Sequence, residues 1–246
     1  MSDLSGQVAL VTGAAVRTGR AIALGLAAQG ADIFIHYHRN HQQALQLAGE
    51  ITALGRQAWI GSADFCDASG VKTLVDQLVA EVGRVDLLVN NVGNYPIKPP
   101  LDYSPEEIRE VFEANLIAPF ALIQQLMPLL QQSASAQVIN LGYAGVELIT
   151  ANTKVMAYQM SKTALLVMTK TLAKELGPQG VRVNMVSPGQ LENSVDLPPN
   201  IAERVPLQRA GTTQDIVDAI VYLSKKGSYV TGVNLEVAGG YRLALA

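Results

Sequence analysis

The regular alternation of short apolar runs with longer amphipathic stretches constrains the fold more than any other feature. Seven apolar runs end in small or polar residues: QVALVTG, ADIFIHYH, RQAWIGSAD, VDLLVNN, SAQVINLG, GVRVNMVSPG and VNLEVAGG. Such near-continuous hydrophobicity is typical of parallel strands covered on both faces. Amphipathic stretches lie between them, at 18–29, 40–54, 68–82, 105–131, 154–177 and 213–224. The alternation predicts βαβ units, and hence an α/β fold with a doubly wound, seven-stranded parallel sheet.

Length and composition favour one domain that works on small molecules. The chain has 246 residues, a size at which single α/β domains are common, and no linker or repeat divides residues 1–246. Its net charge is −3, and no basic face or tail would attract nucleic acid or an anionic membrane. No run reaches the roughly 18 apolar residues of a membrane helix, and no secretion signal is visible. We therefore expect a cytoplasmic protein with neither nucleic-acid nor membrane partners.

Cysteine and histidine usage argues against a metal site. Cys66 is the only cysteine, so no internal disulfide can form. The three histidines, His36, His38 and His41, have no zinc-binding spacing and no thiol or carboxylate beside them. No metal is expected.

The stretch TGAAVRTGR, residues 12–20, follows the first predicted strand and opens the first predicted helix. That context predicts a nucleotide-binding loop, with the ligand beyond the carboxyl ends of the strands. Gly13 and Gly19 would allow close backbone approach, and the helix N-terminus at Thr18 would donate to a pyrophosphate. Arg17 stands where a second glycine is expected. A glycine-rich turn without a ligand is the alternative.

The end of the second predicted strand, HYHRNH, indicates which dinucleotide would bind. An acid there would bind the adenosine ribose, whereas an arginine would accept a 2′-phosphate. No acid occurs from residue 33 to residue 49, and Arg39 is present with His38 and Asn40 beside it as further donors. This pattern predicts NADPH rather than NADH. A solvated loop is the alternative.

The segment AYQMSK places Tyr158 and Lys162 one helical turn apart, on one face of a helix. Together with TGAAVRTG, VNNVG, FEANL and SPG, this pair resembles the short-chain dehydrogenase/reductase family over nearly the whole chain. The resemblance implies a Rossmann-type fold and a homotetramer. It also implies that Asp64 contacts the adenine, that Asn91 and Gly93 border the cofactor, and that Pro188 and Gly189 cover the nicotinamide.

The same resemblance implies that Tyr158, Lys162 and Asn115 are catalytic. Hydride passes from the nicotinamide to a C=O or C=N carbon, and the substrate heteroatom then takes a proton. The pKa of tyrosine, near 10, is high for this work, and a nearby ammonium and the oxidised nicotinamide are expected to lower it. Tyr158 would be the acid/base. Lys162 would tune it and bind the nicotinamide ribose, and Asn115 would hold a water that links Lys162 to solvent.

The sequence departs from the family at its catalytic serine. That serine should lie three residues after Asn140, where this chain has Tyr143, and no Ser or Thr lies between Leu141 and Ile149. We expect the phenol of Tyr143 to donate to the substrate in its place. Alternatively, Tyr143 packs against the substrate, or the site is impaired.

Arg17 favours one branch of the family. The pattern TGxxxRxG followed by HYHR is similar to the NADPH-specific pteridine reductases, and implies that Arg17 approaches both the phosphates and the substrate. GNYPIKPPL places Tyr95 where that branch has an aromatic that stacks on the pterin. Alternatively, Arg17 contacts only the cofactor phosphates, and Tyr95 is an ordinary aromatic residue of a loop. A pterin ring is also recognised by an acidic side chain. Glu147 and Glu192 are nearby in the sequence, but the sequence alone places neither of them in the site.

Three functions follow from these observations. The first is NADPH-dependent reduction of a pterin or dihydrofolate, and the second is reduction of a ketone such as a 3-oxoacyl thioester. The third is a nucleotide-binding regulator that has lost catalysis. In each enzymatic case the irregular, proline-rich segment 187–212 is predicted to cover the substrate. The stretches 105–131 and 154–177 have more apolar surface than is needed to cover one face of the sheet. The excess is consistent with the expected homotetramer.

Overall fold

Seven parallel strands form the sheet of the computed structural model, which describes residues 4–245. In chain order they are β1 (Val8–Val11), β2 (Asp32–Tyr37), β3 (Ala58–Ser62), β4 (Leu87–Asn90), β5 (Gln137–Leu141), β6 (Arg182–Pro188) and β7 (Asn234–Val237). Their spatial order is β3-β2-β1-β4-β5-β6-β7. The chain winds outward in both directions from the β1–β4 junction, which confirms the predicted doubly wound sheet.

Helices cover both faces of this sheet. They are α1 (Arg17–Ala28), α2 (His41–Ala53), α3 (Gly70–Glu81), α4 (Pro105–Phe112), α5 (Ala118–Leu130), α6 (Met156–Leu176), α7 (Ile201–Arg204) and α8 (Thr213–Ser224). Helices α1, α2 and α8 share one buried cluster, and α3, α5 and α6 share another. Across residues 4–245, none of the helices has the length and apolar character needed to cross a membrane.

The strands lack a polar face because successive residues enter different cores. Ala9 and Val11 of β1 lie in the cluster with α1, whereas Leu10 lies in the cluster with α3 and α5. In β4, Val89 lies in the cluster with α1 and Leu88 in the cluster with α3 and α5. All five side chains are fully buried. Burial of a large aliphatic side chain contributes about 1.5–3 kcal/mol. The continuous apolar runs in the sequence therefore reflect a sheet covered on both sides.

The predicted continuous helix over 105–131 is wrong in its middle. A capping box between Ser104 and Glu107 starts α4, but a π-helical segment, Glu113–Ile117, separates α4 from α5. Pro119 supplies the physical reason, because it has no N–H to donate to the carbonyl of Asn115 as an α-helix would require. The interruption lies at the buried Asn115, and π segments of this kind are frequent at functional sites.

The segment 187–212 begins with the last residues of β6 and continues past the edge where the strands have their carboxyl ends. It contains the last residues of β6, the short helix α7 and a single bridge between Leu191 and Gly211. The remainder is irregular, as the prolines predict. Several of its residues line the larger of the two cavities described below.

Candidate active site

The loop of residues 12–19, called here the cofactor loop, is fixed by a buried histidine. Gly13 has φ 62°, and its N–H donates to Nδ1 of His36 over 3.1 Å. Since Nδ1 accepts, the ring proton is on Nε2, which lies 3.1 Å from the carbonyl of Ala63. Burial lowers the pKa of His36 to about 4. A neutral imidazole in β2 therefore ties the cofactor loop to the end of β3.

Close packing fixes the other side of the cofactor loop. A Cβ at Gly19 would lie 2.3 Å from the carbonyl oxygen of Gly13 and 2.6 Å from Nδ2 of Asn91, so only glycine fits. Nδ2 of Asn91 donates to the carbonyl of Thr12 over 2.9 Å, and the Asn91 N–H donates to Oγ1 of Thr12 over 2.9 Å. Because β1 and β4 are neighbours at the switch point, this packing shapes the crevice in which such sheets bind ligands.

Two adjoining cavities extend along the carboxyl edge of the sheet. The large cavity has a volume of 690 Å³ and the small cavity 520 Å³. They share Gly13, Val16 and Val92, so they form one groove across the switch point. The large cavity is lined by the predicted residues Gly13, Arg17, Thr18, Gly19, Asn91, Gly93, Tyr95, Tyr143, Tyr158, Lys162, Pro188 and Gly189. The small cavity is lined by His38, Arg39, Asn40 and Asp64.

The small cavity has the features of an adenosine-phosphate subsite. Arg39 is exposed, and its guanidinium has no hydrogen bond or ion pair with any other described residue. Nε2 of His38 lies 3.4 Å from Oδ2 of Asp64, whose Oδ1 accepts the N–H of Cys66 over 2.9 Å. An unpaired guanidinium in a cavity is suited to bidentate binding of a phosphate.

Tyr158 and Lys162 lie on α6 at the wall of the large cavity. Nζ of Lys162 donates to the carbonyl of Leu141 over 2.8 Å and lies 5.8 Å from the centroid of the Tyr158 ring. Within residues 4–245, the Tyr158 hydroxyl has no hydrogen-bond partner. The structure thus brings the predicted pair together and leaves the phenol available to a ligand.

Burial, rather than Lys162, dominates the pKa of Tyr158 among the protein's own residues. Burial raises the pKa of Tyr158, and the neighbouring Tyr95, Tyr143 and Asp196 raise it further. Burial also lowers the pKa of Lys162 to about 8. The Lys162 ammonium is itself desolvated and donates to the Leu141 carbonyl rather than to the phenol. Tyr158 is consequently a neutral proton donor at pH 7. The expected lowering of the Tyr158 pKa by the ammonium together with the oxidised nicotinamide stays a prediction.

Asn115 lies beneath the cavity rather than in its wall. It is fully buried, and its Oδ1 accepts the N–H of Asn94 over 2.7 Å. Its Nδ2 donates to the carbonyl of Asn94 and to Oγ of Ser161, both over 3.0 Å. Asn115 therefore fixes the backbone beside Gly93, where a Cβ would lie 3.5 Å from Nζ of Lys162. The predicted residues Asn115, Gly93 and Lys162 are thus neighbours.

Tyr143 reaches the site without presenting its hydroxyl. Its ring lies 5.8 Å from that of Tyr158, centroid to centroid, and packs on the cluster of Val146, Leu165 and Met185. The hydroxyl is shielded from solvent and has no hydrogen-bond partner among residues 4–245. Burial raises the pKa of Tyr143. The polar side chains of Thr163 and Gln159 lie near the phenol and lower that pKa by less, although neither is in hydrogen-bond geometry with the hydroxyl. This arrangement favours the packing role over the donor role that we expected.

Arg17 and Tyr95 both contact the segment 187–212. Arg17 has φ 54°, in the left-handed region that is strained for a residue with a side chain, and its guanidinium donates to the carbonyl of Asn193. The Tyr95 hydroxyl donates to Oδ2 of Asp196 over 2.8 Å. The Tyr95 ring meets Tyr158 edge-on, with 4.6 Å between centroids. Both predicted substrate residues therefore line the large cavity and bond to the segment 187–212.

Asp196 is the acid in this site, and sequence reasoning missed it. Glu147 pairs with Lys170 at 3.1 Å, Glu192 is exposed, and neither lines the large cavity. Of the described residues that line it, Asp196 is the only acid. The only feature of the sequence that could have indicated Asp196 is its position in the segment 187–212, which was predicted to cover the substrate.

A second unanticipated feature closes the large cavity from the C-terminal side. The turn Tyr241–Leu245 follows β7, and Arg242 lines the cavity. Nη1 of Arg242 donates to Oε1 of Glu236 over 2.8 Å, and that oxygen also accepts the N–H of Gly145 over 2.8 Å. The charge of Arg242 is therefore balanced within the protein.

Comparison with known proteins places this geometry in a family. The family model described as enoyl-(acyl carrier protein) reductase matches residues 13–242, which is most of the chain. The chain belongs to the short-chain dehydrogenase/reductase family. A 3-oxoacyl-(acyl-carrier-protein) reductase, FabG from Staphylococcus epidermidis, is 32% identical over 239 residues, covering 94% of this chain and 97% of that protein. This protein is therefore an oxidoreductase of the short-chain type.

Solved structures agree with this assignment. A blue fluorescent protein from a metagenomic library, crystallised in complex with NADPH, is 34% identical with a TM-score of 0.89, covering 97% of this chain and 99% of that chain. The landomycin C-6 ketoreductase LanV, with bound NADP and rabelomycin, is 27% identical with a TM-score of 0.89, covering 98% of each chain. FabG and LanV are both named for the reduction of ketones, and neither is a pteridine reductase.

Proposed function

We propose that this oxidoreductase uses NADPH to reduce a ketone to an alcohol. The observation that carries the proposal is the unpartnered phenol of Tyr158, next to Lys162 in a 690 Å³ cavity that is continuous with the nucleotide groove. Ketone reductases among its relatives, FabG and LanV, support the same reaction. The ketone alternative is therefore better supported than the pterin reading that the sequence alone favoured.

The residues of the groove fit NADPH. Arg39, with His38 and Asn40, would hold the 2′-phosphate, and Asp64 would contact the adenine. The cofactor loop, with Thr18 at the start of α1, would hold the pyrophosphate. The region of Asn91, Gly93, Lys162, Pro188 and Gly189 would hold the nicotinamide and its ribose. Bound there, the cofactor supplies the hydride that adds to the carbonyl carbon.

Tyr158 supplies the matching proton. Because burial raises its pKa, the phenol is protonated at neutral pH and can donate to the carbonyl oxygen as negative charge develops there. One C–H and one O–H bond form, the C=O double bond becomes single, and Tyr158 is left as a phenolate. Lys162 stabilises that phenolate, and the carbonyl of Asn115, without its α-helical donor, is proposed to hold the water that returns a proton.

Tyr143 is proposed to form an apolar wall of the substrate site. Its hydroxyl is shielded, so it could donate to the substrate only after the side chain turned. Tyr158 is then the proton donor and the main hydrogen-bond donor to the substrate oxygen, which compensates for the family's missing serine. Donation by Tyr143 is the competing outcome, and the Tyr143→Phe variant tests it.

A second candidate, reduction of a pterin or dihydrofolate, is favoured by one observation. Asp196 and Tyr95 place an acid and an aromatic ring in the same cavity wall as Arg17. A pterin ring carries amino donors that such an acid can accept. A regulator without catalysis is less well supported, because Tyr158, Lys162 and Asn115 lie together around one cavity.

A spectrophotometric panel tests the three functions. NADPH oxidation is followed with acetoacetyl thioester, acetophenone, dihydrobiopterin and dihydrofolate in parallel, for the wild type and for Tyr158→Phe as a matched control. Ketone turnover that Tyr158→Phe abolishes supports the proposal. Turnover with the dihydropterin or dihydrofolate alone would replace it with the second candidate, and no turnover with any substrate would favour the regulator.

A further inference from the structure

Asp196 is an exposed acid in the wall of the large cavity, and it forms no ion pair with any residue from 4 to 245. Its Oδ2 accepts the Tyr95 hydroxyl, and within residues 4–245 its Oδ1 has no partner. We propose that Asp196 is a specificity-determining residue. It accepts a hydrogen bond from a hydroxyl or amino group of the substrate, and it disfavours substrates that carry an anionic group at that end. The inference rests on the proposed ketone reduction and defines its substrate class.

The cations of the cavity leave Oδ1 of Asp196 available to a ligand. Three cations line the same cavity, and each is engaged elsewhere. Lys162 donates to the carbonyl of Leu141, Arg17 to the carbonyl of Asn193, and Arg242 to Glu236. None of the three forms an ion pair with Asp196, so a donor on the substrate would make a charge-assisted hydrogen bond with its Oδ1, whereas a carboxylate placed at Oδ1 would meet a like charge at short range.

The position of Asp196 relative to the reacting atoms defines the shape of the substrate. Tyr95 separates the two ends of the site, since its hydroxyl bonds to Asp196 and its ring packs against Tyr158 at 4.6 Å between centroids. A substrate that reaches both the Tyr158 phenol and Asp196 would thus extend along the Tyr95 side chain, which contacts both residues. Aromatic ketones with a substituent on the ring have this extended shape.

The rim of the cavity favours an apolar body between these two groups. Val195 and Leu148 line the cavity and are 69% and 43% exposed. Ile149, which follows Leu148, is 90% exposed. Exposed apolar side chains in a cavity wall, here Leu148 and Val195, are typical of a site that binds an apolar ligand. The substrate class is therefore a ketone on a ring or similar apolar body, with one hydrogen-bond donor and no anionic group.

Four matched ketones test the inference. They are acetophenone, meta-hydroxyacetophenone, meta-acetylbenzoate and the meta-acetylphenyl trimethylammonium ion, which has a positive charge but no donor. Dissociation constants are measured by calorimetry with NADP⁺ present, so that no reaction occurs, and kcat/KM is measured with NADPH. The wild type is compared with Asp196→Asn and with Glu192→Gln. Glu192 is an exposed acid of the same segment that does not line the cavity. Glu192→Gln therefore makes the same change in charge outside the proposed site.

The expected result is a change in preference rather than a uniform loss. The wild type should favour the hydroxy ketone over acetophenone, and acetophenone over the acetylbenzoate. Asp196→Asn should reduce the hydroxy preference by about 10-fold and relieve the discrimination against the acetylbenzoate by about 5-fold. The trimethylammonium probe should lose less affinity than the hydroxy ketone does, because it has no donor. Glu192→Gln should behave as the wild type.

Two outcomes would overturn the inference. In the first, Asp196→Asn weakens all four probes by the same factor and Tyr95→Phe does likewise, which would assign Asp196 the role of positioning Tyr95. In the second, the wild type does not discriminate among the probes or binds none of them. Discrimination in binding without turnover would instead support the inference while the proposed ketone reduction fails.

Discussion

The backbone N–H of Gly13 donates to Nδ1 of His36, so a buried imidazole on β2 holds the cofactor loop at the end of β1. The same ring is stacked on Phe65, with 4.3 Å between centroids. Protonation of Nδ1 would remove the acceptor that Gly13 needs and would place a charge in the core. The cofactor loop is therefore built on the neutral form of one histidine.

This relationship predicts that folding stability falls between pH 6.5 and about pH 4. His36 titrates with a pKa of about 4 in the folded protein against an ordinary value of 6.5, so the unfolded chain binds more protons in that window. Stability is therefore complete above about pH 6.5 and is lost as the pH falls, by about 3 kcal/mol at most. Urea titrations across this range measure it. His36→Asn should flatten the pH dependence, because the asparagine carbonyl can accept from Gly13 without titrating.

The exposed His41 provides the control for this prediction. His41→Gln should lose as much folding stability at acid pH as the wild type does, because the loss comes from the burial of His36 and not from an exposed imidazole. Equal slopes for the wild type and His36→Asn would refute the assignment to His36.

Cofactor preference is predicted to depend on Arg39. Its unpaired guanidinium lines the small cavity, where it can form a charge-assisted bond with the 2′-phosphate. Arg39→Asp should therefore weaken NADPH by about 10- to 150-fold, corresponding to about 1.5–3 kcal/mol, and leave NADH little changed. Fluorescence titration of both cofactors measures the effect. Equal affinity of the wild type for NADH and NADPH would contradict it.

Catalysis is predicted to depend on Tyr158 as the acid and on the charge of Lys162. Tyr158→Phe should abolish reduction while NADPH binds almost normally, because only a proton donor is removed. The pKa of Lys162 is about 8, so its ammonium is present below that pH and lost above it, and kcat for reduction should fall above about pH 8. In Lys162→Arg the charge persists at high pH, and this fall should disappear. A kcat that stays level from pH 7 to about pH 10 in the wild type would show that Lys162 is not needed as a cation.

Much of this site could be predicted because its residues follow strands whose pattern is unambiguous. Tyr158 and Lys162 share a helix face by spacing alone, and Arg39 follows a buried strand at the adenosine end of the groove. Asp196 could not be predicted, since it comes from an irregular segment and meets Tyr95 only through the tertiary fold. His36 was equally hidden, because a buried histidine in an apolar strand gives no sign of which loop it will hold.

The quaternary prediction is a homotetramer. Apolar side chains are exposed on the π segment, α5 and α6, with Ile117 44%, Phe120 43%, Met160 45% and Val167 62% exposed. Exposed apolar patches on helices are typical of protein interfaces. Light scattering at micromolar concentration should give four times the 26.2 kDa chain mass, and Val167→Glu should lower that mass. A monomeric wild type would refute the prediction. Exposed Val79 on α3 offers a control, since Val79→Glu should leave the assembly intact.

The last prediction concerns Tyr143, the residue that replaces the family's serine. Its hydroxyl is buried and makes no hydrogen bond with residues 4–245, so removing it costs the folded state no hydrogen bond and avoids part of the desolvation penalty. Tyr143→Phe should therefore keep or raise the free energy of unfolding, by up to about 1 kcal/mol, and leave kcat nearly unchanged. Tyr143→Ala should instead raise KM, because it removes a wall of the large cavity beside Tyr158. Denaturant titration and steady-state kinetics on the two variants separate the roles. A loss of about 100- to 1000-fold in kcat for Tyr143→Phe would show that the phenol turns toward the substrate and donates in place of the serine.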